Sequence, residues 1–237
     1  MRFQTDLVPA RLTHRYKRFL ADCTLADGTA VVAHCPNPGS MMGLAIPGTK
    51  IWLEPNDDPK KKLKYSWRLI DHENGHFTGI DTSLPNKLVK AALCNRKIPK
   101  FSAYSQVRAE VSPIPGTRID FLLTEPGLID TYVEVKSVTL SRSTGVAEFP
   151  DRVTMRGTKH LRELTNIARN GRRATMLYII QRTDCNEMRL ASDIDPDDAR
   201  AFAEAQRAGV ETLCMNTHIT TQQTWLNNAL AFHLDNT

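Results

Sequence analysis

No run of apolar residues among these 237 positions approaches the roughly 20 that a membrane-crossing helix requires, so composition argues against a spanning helix. The N-terminal stretch carries Arg2, Asp6, Arg11, Arg15, Lys17 and Arg18 and lacks the apolar run of a signal peptide, which points to the cytoplasm and to no membrane partner. The five cysteines (Cys23, Cys35, Cys94, Cys185 and Cys214) are odd in number and widely spaced, with no Cys-x-x-Cys pair. Neither a disulfide framework nor a zinc cluster is expected from them. Internal repeats and low-complexity segments are also missing. What the chain does have is 41% hydrophobic residues, enough for one large core or two smaller ones at the usual domain size of ~50 to 200 residues.

Thr117 to Thr124 and Thr131 to Leu140 are rich in β-branched and aromatic residues, and Glu125-Pro126-Gly127 between them is turn chemistry, so the pair reads as a β-hairpin. Set into these apolar strands are two acids and a lysine: Asp120 on the first, Glu134 and Lys136 on the second. A two-residue spacing on a strand puts Glu134 and Lys136 on one face, with Val133 and Val135 on the other. The hairpin can bring Asp120 beside Glu134. Two adjacent carboxylates suit a divalent cation with oxygen ligands, Mg²⁺ or Mn²⁺, to which the Val135 carbonyl can add. An ammonium next to them can orient water for attack on a phosphodiester. The ordinary alternative is an ion pair on a solvated strand face.

Lys and Arg exceed Asp and Glu by 31 to 26, a net charge of +5 with a pI near 9.0. The excess is moderate, but it is clustered: Arg11, Arg15, Lys17 and Arg18; then Lys60, Lys61, Lys62 and Lys64; then Arg169 to Arg173. The lysine run leads into Tyr65 and Trp67, and positive charge beside aromatic faces is a combination that single-strand-binding barrels use. A lysine-rich loop that is merely solvated is the competing reading.

Residues up to about 80 read as β-rich. Expected strands are Arg15 to Leu25, Thr29 to Cys35, Lys50 to Glu54, Tyr65 to Asp71 and Phe77 to Ile80, which suit a small barrel. Beyond Asn86 the pattern is mixed: a helix over Pro85 to Asn95, strands around Ser105 to Val111, Thr117 to Thr124 and Thr131 to Leu140, a helix from about Gly157 to Asn170, and a strand over Ala174 to Gln181. A last helix has Asp195 as N-cap, Pro196 first and Gly209 at its stop, before a strand over Val210 to Met215. In the helix after the hairpin, Lys159 in the first turn can reach a phosphate, and His160 falls at the edge of the apolar face. Asp151 and Arg156, just before it, are candidates for closing the site or clamping phosphate. His72-Glu73-Asn74-Gly75-His76 matches a zinc-protease motif by letter, yet Asn74-Gly75 is a hairpin signal and the histidines would not share a helix face.

The order αβββαβ and the spacing of Asp120, thirteen residues, then Glu134-Val135-Lys136 resemble the core of the restriction-endonuclease-like nucleases. Across nearly its whole length the chain is similar to the sugar fermentation stimulation protein A family of bacteria and archaea. The matching words include Leu7-Val8-Pro9-Ala10-Arg11, His34-Cys35-Pro36-Asn37-Pro38-Gly39-Ser40-Met41, Thr82-Ser83-Leu84-Pro85-Asn86, Arg118-Ile119-Asp120-Phe121, Glu134-Val135-Lys136-Ser137-Val138-Thr139-Leu140 and Arg156-Gly157-Thr158-Lys159-His160-Leu161. Pro38 and Ser137 stand where the family usually has Thr and Asn. The resemblance implies a DNA-binding protein linked to sugar utilisation, with an N-terminal OB-like barrel.

The expectation is therefore a mixed α/β protein of two domains: an OB-like β-barrel over residues 1–81 that binds nucleic acid, and a restriction-endonuclease-like αβββαβ domain over 82–237. Asp120, Glu134, Lys136 and Lys159 would form a Mg²⁺- or Mn²⁺-dependent phosphodiesterase site, with metal on Asp120, Glu134 and Val135. Arg11, Arg15, Lys17, Arg18, Lys61, Lys62, Lys64 and Arg156 would contact DNA, single- or double-stranded. The alternative is a non-catalytic DNA-binding regulator of sugar-utilisation genes. Oligomeric state, a dimer included, stays open.

Overall fold

The computed structural model describes residues 1–113 and 116–233. Among these, the first six strands are β1 (Val8–Tyr16), β2 (Leu20–Leu25), β3 (Ala30–His34), β4 (Lys50–Pro55), β5 (Tyr65–Asp71) and β6 (Phe77–Gly79). They form one sheet in the order β3-β2-β1-β4-β5-β6, and a short parallel pairing of Ala33 with Tyr65 and His34 with Ser66 joins β3 to β5 and closes five strands into a barrel. Alternation fills it: Ala10, Leu12, Ala21, Cys23, Ala33, Ile51, Leu53 and Trp67 point inward and are buried.

The single strand expected over Arg15 to Leu25 is in fact the end of β1, a turn at Lys17-Arg18-Phe19, and β2. Lys17 and Arg18 both have positive φ (49° and 63°). The sequence offers no Gly or Asn there, so the reversal is imposed by the pairing of β1 with β2, in which Tyr16 faces Leu20. The hairpin expected at Asn74-Gly75 is present. His72 N–H donates to the His76 carbonyl, and the two imidazoles face the hydroxyls of Thr78 and Thr183.

The second sheet is built from β7 (Gln106–Val111), β8 (Ile119–Thr124), β9 (Thr131–Val138), β10 (Leu140–Ser143), β11 (Gly145–Phe149), β12 (Arg173–Ile180), β13 (Cys185–Leu190), β14 (Glu211–Ile219) and β15 (Thr224–His233), in the order β10-β11-β13-β15-β14-β12-β9-β8-β7. Helix α1 (Leu84–Cys94) covers one face through Val89, Ala92 and Leu93. Helices α2 (Met155–Arg169) and α3 (Pro196–Arg207) cover the other through Leu161, Leu164, Ile167, Ala201, Phe202 and Ala205. The αβββαβ succession is there, with β10 and β11 inserted before α2, and β13 and β15 added beyond it. Those four strands are short, polar or interrupted, and they acquire their strand character from pairing.

Asp195 fixes how α2 and α3 meet. One carboxylate oxygen accepts from the Asp198 N–H at 3.1 Å, capping α3, and the other accepts from the N–H of Thr154 at 2.8 Å, the residue that caps α2. Barrel and sheet are also joined: Gly79 N–H donates to the Gln181 carbonyl at 2.8 Å, and Met1 and Phe3 pair with Thr224 and Gln222 at the β14–β15 turn. Among the described residues no helix is long and apolar enough to cross a membrane.

Trp67 has no exposed surface and donates its indole N–H to the Leu69 carbonyl at 3.0 Å. Its place on the inward face of β5 makes it barrel core, which corrects the reading of Trp67 as a base-stacking platform. Trp67→Ala should therefore lower stability by about 3–5 kcal/mol. Urea unfolding followed by circular dichroism measures this, and a loss below about 1 kcal/mol would contradict the assignment.

Candidate functional site

The expected hairpin is present as β8 and β9, paired antiparallel with Phe121 opposite Val133 and Leu123 opposite Thr131. Phe121, Val133 and Val135 pack toward α1, while Leu122 and Tyr132 pack toward α2 and α3. By the alternation of strand side chains, Asp120, Glu134 and Lys136 belong to the α2 side. The backbone pairing of the two strands ends at Phe121 and Val133. Beyond it, Val135 N–H donates at 2.8 Å to the Asp120 carboxylate, so a side chain takes over from the ladder where the strands part.

The second Asp120 oxygen accepts from the Asn86 amide at 2.6 Å, reached from the first turn of α1. Glu134 is 2% exposed. Its Oε1 receives the Lys136 ammonium at 2.8 Å and the His160 Nδ1. Lys136 Nζ is also 3.0 Å from His160 Nδ1, and Arg156 Nε lies 3.5 Å from His160 Nε2. The contacts with Glu134 and Arg156 fit an imidazole that donates from Nδ1 to Glu134 and accepts from Arg156 at Nε2, in which case the Lys136 ammonium lies beside Nδ1 without bonding it and donates to Glu134. Among the described residues, Glu134 Oε2 is buried with no hydrogen-bond partner.

Burial, reinforced by the neighbouring Glu134 charge, pushes the Asp120 carboxyl above the usual range. Burial acts upward on Glu134 too, but the His160 hydrogen bond and the Lys136 charge outweigh it and leave Glu134 below its ordinary value. Among the described residues no group of three His, Cys, Asp or Glu side chains forms a ready metal cage. A buried carboxylate with one orphaned oxygen and a half-buried one beside it suit a cation that keeps waters and takes its remaining ligands from a phosphate, as Mg²⁺ commonly does. They do not suit a structural zinc.

Of the catalytic set expected from the sequence, Asp120, Glu134 and Lys136 come together and Lys159 does not. Lys159 projects outward, its ammonium 3.0 Å from the Gly116 carbonyl and 3.7 Å from Glu163, because one step along the helix turns it away from the sheet. His160, the next residue, takes the inner position. Asn86 had no signal of its own beyond its place in a family word.

The basic residues divide into those already engaged and those exposed. Arg11 makes a two-bonded ion pair with Glu73 at 2.7 and 2.8 Å. Arg15 braces a loop, donating to the carbonyls of Asn37 at 2.8 Å and Gly39 at 3.0 Å. Lys64 donates to the Asp58 carbonyl at 2.9 Å, while Lys17, Arg18, Lys61 and Lys62 are exposed on turns of the barrel.

Beside Lys136 opens a cleft of about 230 Å³, lined from the barrel by Asn37, Pro38 and Gly39 and from the sheet domain by Phe149, Arg152 and Arg156 among others. Asp151 holds the barrel loop in place: its carboxylate accepts from the Ser40 N–H and hydroxyl, both at 3.0 Å. Asp151 thus serves the wall of the cleft, one of the two roles the sequence left open for it.

The model of the SfsA N-terminal OB domain matches residues 13–80, and that of the sugar fermentation stimulation protein RE domain matches residues 83–223. The chain belongs to the sugar fermentation stimulation protein family. It is 65% identical over 99% of its length to a sugar fermentation stimulation protein homolog of Roseobacter denitrificans, all of which is covered, and 67% identical over 94% to the homolog of Ruegeria pomeroyi, 96% of which is covered. The structure of Pyrococcus furiosus SfsA in complex with Ca²⁺ is similar at a TM-score of 0.86 and 25% identity, covering 98% of each chain.

Within the RE domain one more acid lies close to this site. Asp198, 1% exposed, has neither carboxylate oxygen hydrogen-bonded among the described residues, and a Cβ on Gly157 of α2 would stand 2.9 Å from its Oδ1. Burial, then the charge of Asp195, raises its carboxyl to about 6 against an opposing pull from Lys136. A folded-state value above the unfolded one means that the folded chain retains a proton the unfolded chain has released. Stability therefore falls as pH rises from ~4 to ~6, by on the order of 2–3 kcal/mol. Asp198→Asn removes this dependence, so relative to the parent its stability should be higher at neutral pH than near pH ~4 by a similar amount. Paired urea titrations at the two pH values check it, and a pH-independent difference would contradict it.

Proposed function

We propose that the protein binds DNA and hydrolyses phosphodiester bonds at a divalent-cation site on Asp120 and Glu134, with Lys136 as the positioned cation. The observation that carries the reading is the convergence of Asp120, Glu134 and Lys136 where β8 and β9 part, with Glu134 Oε2 buried and unpartnered. Such a cation supplies Lewis acidity toward water and phosphate, and Mg²⁺ or Mn²⁺ is the assignment, with the Val135 carbonyl as a further ligand. The Ca²⁺ complex of the Pyrococcus furiosus protein supports a hard, oxygen-ligated cation in this family.

The chain's own groups have distinct tasks. Lys136 orients the attacking water and balances charge that builds on the phosphoryl oxygens as the water oxygen bonds to phosphorus and the P–O bond to the leaving strand breaks. His160 holds Glu134 in its rotamer through Nδ1. Arg156, at the cleft, binds a non-bridging oxygen, and Asn86 holds Asp120. Lys17, Arg18, Lys61 and Lys62 on the barrel neutralise flanking phosphates.

The second reading is a non-catalytic DNA-binding regulator of sugar utilisation, whose link to sugar the relatives' name supports. The side-chain closure of Glu134 Oε1 by Lys136 and His160 also favours it. The division into residues 1–81 and 82–237 draws support from the two family models, the first ending at residue 80 and the second beginning at residue 83. A cytoplasmic location draws on five cysteines that are all unbridged.

The test is incubation of purified protein with labelled single- and double-stranded DNA under Mg²⁺, Mn²⁺ or chelator. Asp120→Asn and Glu134→Gln should abolish metal-dependent cleavage while DNA binding in chelator persists. Lys136→Met should cut turnover by ~10² to 10⁴ with metal uptake intact. No cleavage by the parent protein under any of these metals would reject the phosphodiesterase and leave the regulator.

A further inference from the structure

The cleft beside Lys136 is walled by both domains, and its barrel wall is fixed. Arg15 bonds the carbonyls of Asn37 and Gly39, Asp151 bonds Ser40, and a Cβ on Gly39 would stand 2.8 Å from Asp151 Oδ2 and 2.9 Å from Asn37 Oδ1. The cations of the cleft are Lys136, Arg152 and Arg156 and its acids Glu148 and Asp151; Glu148 is paired with Arg142 and Arg189 and Lys136 with Glu134, which leaves Arg152 and Arg156 outside any ion pair among the described residues.

The segment that carries these arginines is Arg152-Val153-Thr154-Met155-Arg156, and its apolar members face water: Val153 is 68% and Met155 89% exposed. Lone exposed apolar residues are ordinary. Two that stand between phosphate-seeking arginines, just outside a cleft that Arg152, Thr154 and Arg156 line, are matched to a strand that continues out of it, in which charge and flat apolar faces alternate. Side chains such as Met serve other proteins as apolar wedges between neighbouring bases.

A cleft of about 230 Å³ is on the scale of one nucleotide, and a base pair with both its backbones does not enter it. Reaching it from an intact duplex requires extruding a nucleotide, at a cost of a few kcal/mol that a single strand does not incur. We propose that the cleft receives one unpaired nucleotide of single-stranded DNA, with Arg152 and Arg156 on its phosphates and Val153 and Met155 against the adjoining base. This rests on the phosphodiesterase reading of Asp120, Glu134 and Lys136 and narrows its substrate to strands that are single or locally unpaired.

The experiment is fluorescence anisotropy in chelator, with the full chain, a labelled single-stranded oligonucleotide and a blunt duplex of the same sequence. The single strand should bind about tenfold more tightly. Val153→Ser combined with Met155→Ser changes only exposed side chains; it should cost about tenfold on the single strand and leave the duplex affinity unchanged. Equal affinity for the two forms, an unaltered single-strand affinity in the double variant, or no binding of either form would overturn the proposal. Cleavage assayed separately keeps the two readings apart. Strand preference that depends on Val153 and Met155 without any cutting upholds the cleft and rejects the phosphodiesterase, and metal-dependent cutting without that preference does the reverse.

Discussion

Two carboxylates on neighbouring strands, withdrawn from bulk water, repel each other, and most of what surrounds Asp120 and Glu134 answers that repulsion. Asp120 is held by the Val135 N–H and the Asn86 amide. Glu134 is held by Lys136 and His160. Each donor comes from a different place: the strand itself, α1, the next residue on the same strand face, and α2. The sheet, with helices on both faces, is what allows groups so distant in the chain to meet at one point. Glu134 Oε2 is the acceptor these donors leave unsatisfied, and a buried acceptor without a partner costs on the order of 1–3 kcal/mol. A cation bound there would repay that cost.

The second organising constraint is the seam between barrel and sheet. Asp151 lies between β11 and α2 yet accepts hydrogen bonds from Ser40 of the barrel loop, and Gln181 and Thr183 after β12 bond β6. The capping carboxylate of Asp195 sets the start of α2, and with it the direction of Arg156 and His160. The barrel therefore contributes more than its own surface. Its loop at Asn37 to Gly39 forms a wall of the cleft beside Lys136, so that cleft depends on barrel and sheet at once.

The hairpin was legible because Asp120, Glu134 and Lys136 interrupt two β-branched runs separated by turn chemistry, and strand alternation assigns the face. The helices were legible from their apolar stripes and from Asp195-Pro196 at the start of α3. Pairing partners were not. The strands β10, β11, β13 and β15 carry weak patterns of their own, and the reversal at Lys17-Arg18 uses residues that seldom mark turns. Trp67 followed a lysine run and so read as surface, although the alternation of β5 turns it inward. Lys159 and His160 were adjacent letters, and the rotation of α2 by one residue decided between them. Arg11, Arg15 and Lys64 read as phosphate ligands because sequence shows charge but not the Glu73, Asn37, Gly39 and Asp58 atoms that engage them.

The most direct measurement is an anomalous-difference map from crystals of the protein soaked in Mn²⁺. One strong peak is expected in contact with a carboxylate oxygen of Asp120 and with Glu134 Oε2, absent in Asp120→Asn crystals soaked in the same way. A map with no peak between these two residues, or with manganese held elsewhere while Lys136 and His160 stay on Glu134, would contradict it.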